Sequence, residues 1–238
     1  MSFLDSIKAM VTALRALFQS RRRLMVLVGV YCALLASVYL FVSTREATIF
    51  QLGMTFVVVL IIPALFFVLQ ALSVGYANGP TLVRKVSSDC LKLIVVSVPV
   101  LGLILAAVYG LNKIQSAATT VATIRYLLVG VFAPLLAIQL WLATSVGGLR
   151  VIFSRFKGVV IKTLSPQSLF VYACGFLVFA VAPYFLLMKT INVERAWLEF
   201  SLLILRLTIS ALLILLGWVT TVGALSILNR DSYASARD

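Results

Sequence analysis

The sequence contains no histidine, three cysteines and seven acidic residues, and no acidic residue lies well inside a long apolar segment. These shortages exclude several kinds of chemistry. Proton-coupled transporters usually rely on a carboxylate or histidine within the membrane, haem and catalytic zinc are commonly held by histidine, and a cysteine or serine nucleophile usually needs a histidine base. The sequence therefore predicts a protein that is not an enzyme and that binds no cofactor or metal.

Hydrophobic residues, in contrast, are abundant. They make up 63% of the 238 positions, and the mean hydropathy is +1.14. A soluble fold cannot bury that much apolar surface, whereas a bilayer accommodates it. Six segments are close to or above the roughly 20 residues that cross a membrane as a helix: 24–43, 50–76, 93–111, 126–147, 168–188 and 198–228. The predicted fold is an all-α membrane protein with six transmembrane helices.

The distribution of basic residues predicts the orientation. Both chain ends and the connections on their side carry a net charge of +10, whereas the opposite connections carry +2. Positive charge collects on the cytoplasmic side, so we expect both termini in the cytoplasm and the protein in a bacterial inner membrane. Anchoring to anionic headgroups explains the basic residues better than nucleic-acid binding, because few aromatic residues are interleaved with them. The expected anchors are Arg21, Arg22, Arg23, Arg155, Lys157 and Lys162.

Three regions are predicted: a cytoplasmic element over 1–23, a transmembrane domain over 24–228 and a short tail over 229–238. Within the first region, apolar residues between 3 and 18 follow the spacing of an amphipathic helix. This helix either lies flat on anionic headgroups or docks its apolar face on a partner subunit. Residues 149–164 form a second, less regular amphipathic segment. Ser165-Pro166 predicts a capped helix start for the fifth span.

The span ends recur in a way that fits three repeated helical hairpins. The even-numbered spans end in Ser73-Val74-Gly75, Ser145-Val146-Gly147 and Thr221-Val222-Gly223. A real repeat would stack three hairpins around a pseudo-threefold axis, because one hairpin alone cannot bury its packing face. The alternative is chance recurrence within a small apolar alphabet, and the sequence leaves both explanations open.

Few polar residues lie inside the spans, and these are the candidates for a site. Arg206 lies about eight residues into the sixth span, where an isolated charge is costly. It either contacts an anion, a lipid phosphate or a partner, or it extends toward the membrane surface. Glu199 lies on the same helix face and is positioned to share that charge. Gln70 and Gln139 occupy corresponding parts of spans two and four, where we expect bonds between helices rather than substrate contacts.

Small residues and prolines complete the list of features. Two stripes of small residues permit close helix contact, within the chain or with a partner: Gly29 with Ala33, and Gly102 with Ala106 and Gly110. Four prolines lie inside spans, where they bend helices and thereby help to frame cavities: Pro63, Pro99, Pro134 and Pro183. The cysteines, Cys32, Cys90 and Cys174, are expected to be free thiols.

Two functions agree with these features. The first is a non-catalytic accessory or scaffold subunit of a larger membrane complex, which the scarcity of buried charge and the small-residue stripes favour. The second is a small permease or channel subunit for an anionic or lipid-like substrate, which the prolines and Arg206 favour. We favour the first, with the lipid bilayer and other membrane subunits as partners and without nucleic acid.

Overall fold

The computed structural model describes residues 3–44, 48–77, 83–113, 118–189 and 195–234, and the regular structure in these ranges is helical. Two five-residue π-helical segments, Leu128–Phe132 and Leu177–Val181, lie within the fourth and fifth predicted spans. The α-helices are α1 (Phe3–Gln19), α2 (Arg21–Ser43), α3 (Ile49–Ala77), α4 (Val83–Lys113), α5 (Ala118–Leu127), α6 (Ala133–Gly147), α7 (Leu149–Thr163), α8 (Pro166–Phe176), α9 (Ala182–Met188) and α10 (Ala196–Ala234).

Six helical units are long and apolar enough to cross a membrane. They are α2, α3, α4, the α5–α6 unit, the α8–α9 unit and α10, and they contain the six segments expected from the sequence. The prediction of an all-helical fold with six helices long and apolar enough to span a membrane is therefore confirmed for the described residues. We call the side on which α3 and α6 end the proximal side, and the side on which α2, α4 and α9 end the distal side. Helix α10 continues through Ala234, so residues 229–234 are helical, and the assignment of 229–238 to a cytoplasmic tail stays a prediction.

The fourth span is the centre of the bundle. Half of the residues in its most apolar window are buried, compared with 11% in spans one and three. Leu135, Ile138 and Leu142 on α6 have almost no accessible surface. The peripheral spans keep most of their apolar side chains exposed, so these side chains are available to lipid or to another protein.

Helix α1 packs against the proximal half of α10. Its buried residues are Ser6, Ala9, Ala13 and Leu17, and Leu17 joins a cluster with Leu215 and Val219. The predicted apolar face is thus divided, because Leu17 is buried while most of its other members stay exposed: Phe3, Leu4, Ile7, Val11, Leu14 and Phe18. Residues Phe3–Gln19 are helical, and their role as an amphipathic helix lying flat on the membrane surface stays a prediction.

Both π-helical segments end directly before an Ala-Pro pair. Proline cannot donate the usual backbone hydrogen bond, and its ring crowds the carbonyl four residues earlier. The amides of Ala133 and Ala182 instead donate to the carbonyls of Leu128 and Leu177, five residues back, which widens the helix. Pro63 and Pro99 lie inside uninterrupted α3 and α4. The proposed hairpins pair spans one with two, three with four, and five with six. The widened segments lie in the second span of one hairpin and the first span of the next, so they do not recur in equivalent places. The repeat stays a prediction.

Spans five and six pack closely at two glycines, Gly175 and Gly217. A Cβ atom added to Gly175 would lie 1.9 Å from Thr221 Oγ1, and one added to Gly217 would lie 3.0 Å from Phe179 Cβ. The glycines that the sequence singled out behave differently. Gly29, Gly102 and Gly110 have no atom within 4 Å of an added Cβ. The predicted small-residue stripes therefore make no close contact within the described chain.

A tight turn at Gly148 connects α6 to α7. Its φ of 75° lies in the region that glycine adopts readily and other residues avoid. Helix α7 then packs on α6 and buries Val159 and Thr163.

The next helix begins at Pro166, and the Ser168 amide donates to Ser165 Oγ at 3.3 Å. This confirms the predicted helix cap of the fifth span.

Candidate functional site

A cavity of about 830 Å³ is lined by residues from all six spans. Each span contributes side chains close to its own midpoint, such as Tyr31 on α2, Leu101 on α4 and Phe176 on α8. The cavity therefore lies at the level where the membrane interior would be. Among the described residues that line it, none is charged. Its volume is within the range of roughly 300–1,000 Å³ that is typical of ligand sites.

Aromatic rings form much of the cavity wall in two groups. In the first group, Phe66 meets Trp141 edge to face, with ring centroids 6.3 Å apart. In the second group, Phe179 packs edge to face against Trp218, with centroids 5.4 Å apart, and also contacts Tyr172 and Phe176. Such edge-to-face pairs are favourable beyond the area that they bury. They hold the wall of the cavity in a defined shape.

The polar atoms of the wall bond to one another across different spans. Trp218 Nε1 donates to Gln70 Oε1 at 2.7 Å, Trp141 Nε1 donates to Ser97 Oγ at 2.8 Å, and Tyr172 Oη donates to the Gly130 carbonyl at 2.7 Å. Pairing of this kind is required where water is absent, because an unsatisfied polar group in hydrocarbon costs several kcal/mol. The surface left facing the cavity is therefore mostly carbon.

The bond from Tyr172 to Gly130 explains how the wall tolerates Pro134. In a regular helix the Gly130 carbonyl would accept from the residue at 134, and proline has no amide hydrogen to donate. The hydroxyl of Tyr172, on the neighbouring span, occupies this carbonyl instead. Pro134, the π-helical segment before it and Tyr172 thus form one structural unit at the cavity.

The two glutamines have separate roles. Gln70 is 2% exposed and lines the cavity. Its Oε1 accepts from Trp218, while its Nε2 has no acceptor among the described residues. Gln139 lies outside the lining, where its Nε2 donates to Ser168 Oγ at 3.2 Å and its Oε1 accepts from Asn229 Nδ2 at 3.1 Å. Both side chains bond between helices, as expected from the sequence, but of the two only Gln70 lines the cavity.

Arg206 faces protein at the distal end of the fifth span. Its Nε donates to the Leu186 carbonyl at 2.7 Å, and its Nη2 donates to the Lys189 carbonyl. The last carbonyls of a helix lack helical partners and favour a nearby positive charge. Arg206 therefore caps α9 and is absent from the cavity lining. Glu199 is exposed, and within the described residues it forms no ion pair with Arg206.

The expected anchors lie on α2 and α7. Arg21, Arg22 and Lys157 are exposed, and Arg23 and Lys162 are partly buried. Arg155 lies in a stretch of α7 whose side chains are outside the described part of the chain. Their contact with headgroups stays a prediction. Cys32, Cys90 and Cys174 form no disulfide, as expected.

Several cavity residues were not identified from the sequence. Ser97, Trp141, Tyr172, Phe179 and Trp218 lie in spans whose apolar character is nearly continuous. The available signal was a concentration of aromatic residues near Pro134 and Pro183. That signal does not tell which side of a helix faces a neighbour, so it could not define a cavity.

Comparison of the chain with protein-family models, with curated proteins and with solved structures gives no match. Among the described residues, no group of three or more His, Cys, Asp or Glu side chains is arranged to hold a metal ion. The cavity is therefore the feature on which a function is best based.

Proposed function

We propose that the protein is a non-catalytic membrane protein that holds the hydrocarbon part of a lipid-like molecule in this cavity. The uncharged, aromatic wall, whose polar atoms bond mainly to one another, is the observation that carries the proposal. This function corresponds to the lipid-like half of the permease alternative. An anionic group would lose its hydration inside the cavity without gaining a cation in return, and that loss is costly.

Hydrocarbon suits the wall better than water does. A buried water molecule typically makes about three hydrogen bonds to polar groups. In this wall, the indole nitrogens of Trp141 and Trp218 and the hydroxyl of Tyr172 already have partners. An alkyl chain needs no such partners and gains dispersion contacts with the aromatic rings.

The π-helical segments give a route for entry from the membrane. Gly130 lies within the first segment and Phe179 within the second, and both line the cavity. Widened helical turns of this kind often occur at functional sites. We propose that α5 and α9, the distal halves of spans four and five, move about these segments to admit the ligand sideways.

Tryptophan fluorescence provides a direct test. In a Trp197→Phe background, the remaining tryptophans, Trp141 and Trp218, both line the cavity. A brominated alkane, 1,2-dibromohexadecane, quenches indole fluorescence on contact and carries no polar headgroup. Titrated into the detergent-solubilised protein, it should quench in a saturable manner at about one molecule per chain.

A matched pair of variants shows where the quencher binds. Gly130→Leu places a side chain in the cavity wall at a position where an added Cβ meets no atom within 4 Å, and it keeps the carbonyl that Tyr172 uses. Gly53→Leu makes the same change at an exposed glycine that does not line the cavity. Gly130→Leu should reduce quenching several-fold, and Gly53→Leu should not. Quenching that is unsaturable, or equal in both variants, would rule out the proposed function.

The accessory role remains a second candidate because of one exposed surface. Gly102, Ala106 and Gly110 lie on one stripe of α4, and added Cβ atoms at the two glycines would meet open space. Such stripes allow a second helix to approach closely. If another subunit docks there, Gly102→Leu/Gly110→Leu should abolish co-purification with a single stoichiometric partner, while Gly53→Leu should preserve it. Purification of the native protein from mild detergent as a partner-free chain would contradict this role.

A further inference from the structure

The source of the ligand determines how the cavity must select it. A lipid-like molecule reaches the cavity from the bilayer, whose hydrocarbon is as apolar as the wall. Transfer of an alkyl chain between them therefore gains little from the hydrophobic effect. Selectivity has to come from the shape of the aromatic wall and from a polar contact that the bilayer interior does not offer.

Gln70 is the residue that offers such a contact. Trp218 Nε1 donates to its Oε1 at 2.7 Å, which fixes the orientation of the carboxamide. The Nε2 group carries two N–H donors, has no acceptor among the described residues, and belongs to a side chain that lines the cavity while being 2% exposed. A donor without an acceptor in the wall of an apolar cavity is unfavourable, so an acceptor atom on a ligand would relieve this cost.

The chemistry of the wall restricts what that acceptor is. A carboxylate or phosphate would need a cation, and the described lining residues include none. A carbonyl oxygen is neutral, and it accepts hydrogen bonds without bringing a donor that needs its own partner. The uncharged lining therefore fits a carbonyl better than an ionised group.

We propose that the cavity selects a neutral, lipid-soluble molecule whose carbonyl oxygen accepts a hydrogen bond from Gln70 Nε2. The inference rests on the proposed function and adds the chemical class of the ligand. Two sources supply this chemistry: the ester carbonyl of a neutral glycerolipid, and the ring carbonyl of a quinone with an alkyl tail.

A competition experiment measures the selectivity. The detergent-solubilised protein is incubated with an equimolar mixture of decylubiquinone, trioctanoylglycerol and decylbenzene, and the retained compounds are quantified by mass spectrometry after gel filtration. Amounts are corrected for empty micelles of the same detergent. The native protein should retain one of the two carbonyl compounds about five- to tenfold more than decylbenzene, as expected for one net hydrogen bond.

Two variants separate the donor from the packing around it. Trp218→Phe removes the indole donor but keeps the Gln70 carboxamide, so the preference for a carbonyl should remain. Gln70→Leu/Trp218→Phe removes both partners of the bond, which leaves no buried indole N–H unpaired. In this double variant the carbonyl compounds should be retained no more than decylbenzene, which the cavity still holds.

The outcomes distinguish the two proposals. A native protein without carbonyl preference, or a double variant that keeps the preference, overturns the inference while leaving hydrocarbon binding intact. Failure to retain any of the three compounds, together with unsaturable alkane quenching, overturns the proposed function as well. Preference for decylubiquinone identifies a quinone-type ligand, and preference for trioctanoylglycerol identifies an ester lipid; either supports the shared chemistry.

Discussion

The contact between Gly175 and Thr221 allows a quantitative prediction about what joins spans five and six. A Cβ atom at position 175 would lie 1.9 Å from Thr221 Oγ1 and 3.0 Å from Thr221 Cβ. Thr221 is fully buried, and its hydroxyl donates to the Gly217 carbonyl at 2.7 Å. The hydroxyl therefore cannot move aside without losing a bond. Gly175→Ala must displace α8 from α10 or rotate Thr221.

The expected magnitude follows from two opposing effects. Alanine in place of glycine inside a helix gains about 0.5–1 kcal/mol. Overpacking a well-packed contact costs typically about 1–3 kcal/mol. We expect Gly175→Ala to lower the free energy of unfolding by up to about 2 kcal/mol. Gly102→Ala, at an exposed glycine with open space around an added Cβ, should raise it by about 0.5–1 kcal/mol instead.

A double-mutant cycle identifies the clash as the cause. Thr221→Ala removes the oxygen at 1.9 Å, so the combination Gly175→Ala/Thr221→Ala should recover stability with a coupling of at least about 1 kcal/mol. Reversible unfolding in mixed micelles with increasing dodecyl sulfate, followed by tryptophan fluorescence, supplies the free energies. If Gly175→Ala is as stable as Gly102→Ala, or if Thr221→Ala gives no recovery, the two helices do not pack as described.

Three further predictions concern the chain ends and the helix cap. Arg206→Leu should lower the free energy of unfolding by about 1–2 kcal/mol, because the charged hydrogen bonds to the end of α9 are lost. In the same unfolding assay, Arg206→Lys should recover only part of that free energy, and Arg195→Leu, at an exposed arginine, should have little effect. Leu17→Asp should destabilise the bundle by more than about 2 kcal/mol, because Leu17 is 1% exposed. Leu14→Asp should weaken the contact of α1 with the vesicle surface and leave the bundle folded, so equal unfolding midpoints for the two variants would contradict this prediction. In a cysteine-free background, Asp5→Cys and Ala234→Cys should both react with an impermeant maleimide only after the cell is opened, and labelling of either in intact cells would reverse the predicted orientation.

The membrane-spanning architecture was largely determined by the sequence. In hydrocarbon every backbone polar group needs an internal partner, so an apolar segment of sufficient length must be helical whatever its neighbours are. This local rule located all six spans, and the cap at Ser165 followed from an equally local pattern. The amphipathic pattern of residues 3–18 likewise gave helix α1.

The contacts between the spans were decided only by the tertiary structure. A face that touches lipid and a face that touches another helix are both apolar, so the pattern of hydrophobic residues does not distinguish them. The sequence therefore pointed to Gly102 and Gly110 as packing residues, whereas the close contacts are at Gly175 and Gly217. Arg206 was a site candidate because a charge in a span is costly, but the carbonyls that accept its hydrogen bonds lie at the end of a different span. The cavity and the Gln70 donor likewise exist only once six separate helices meet, which no single segment encodes.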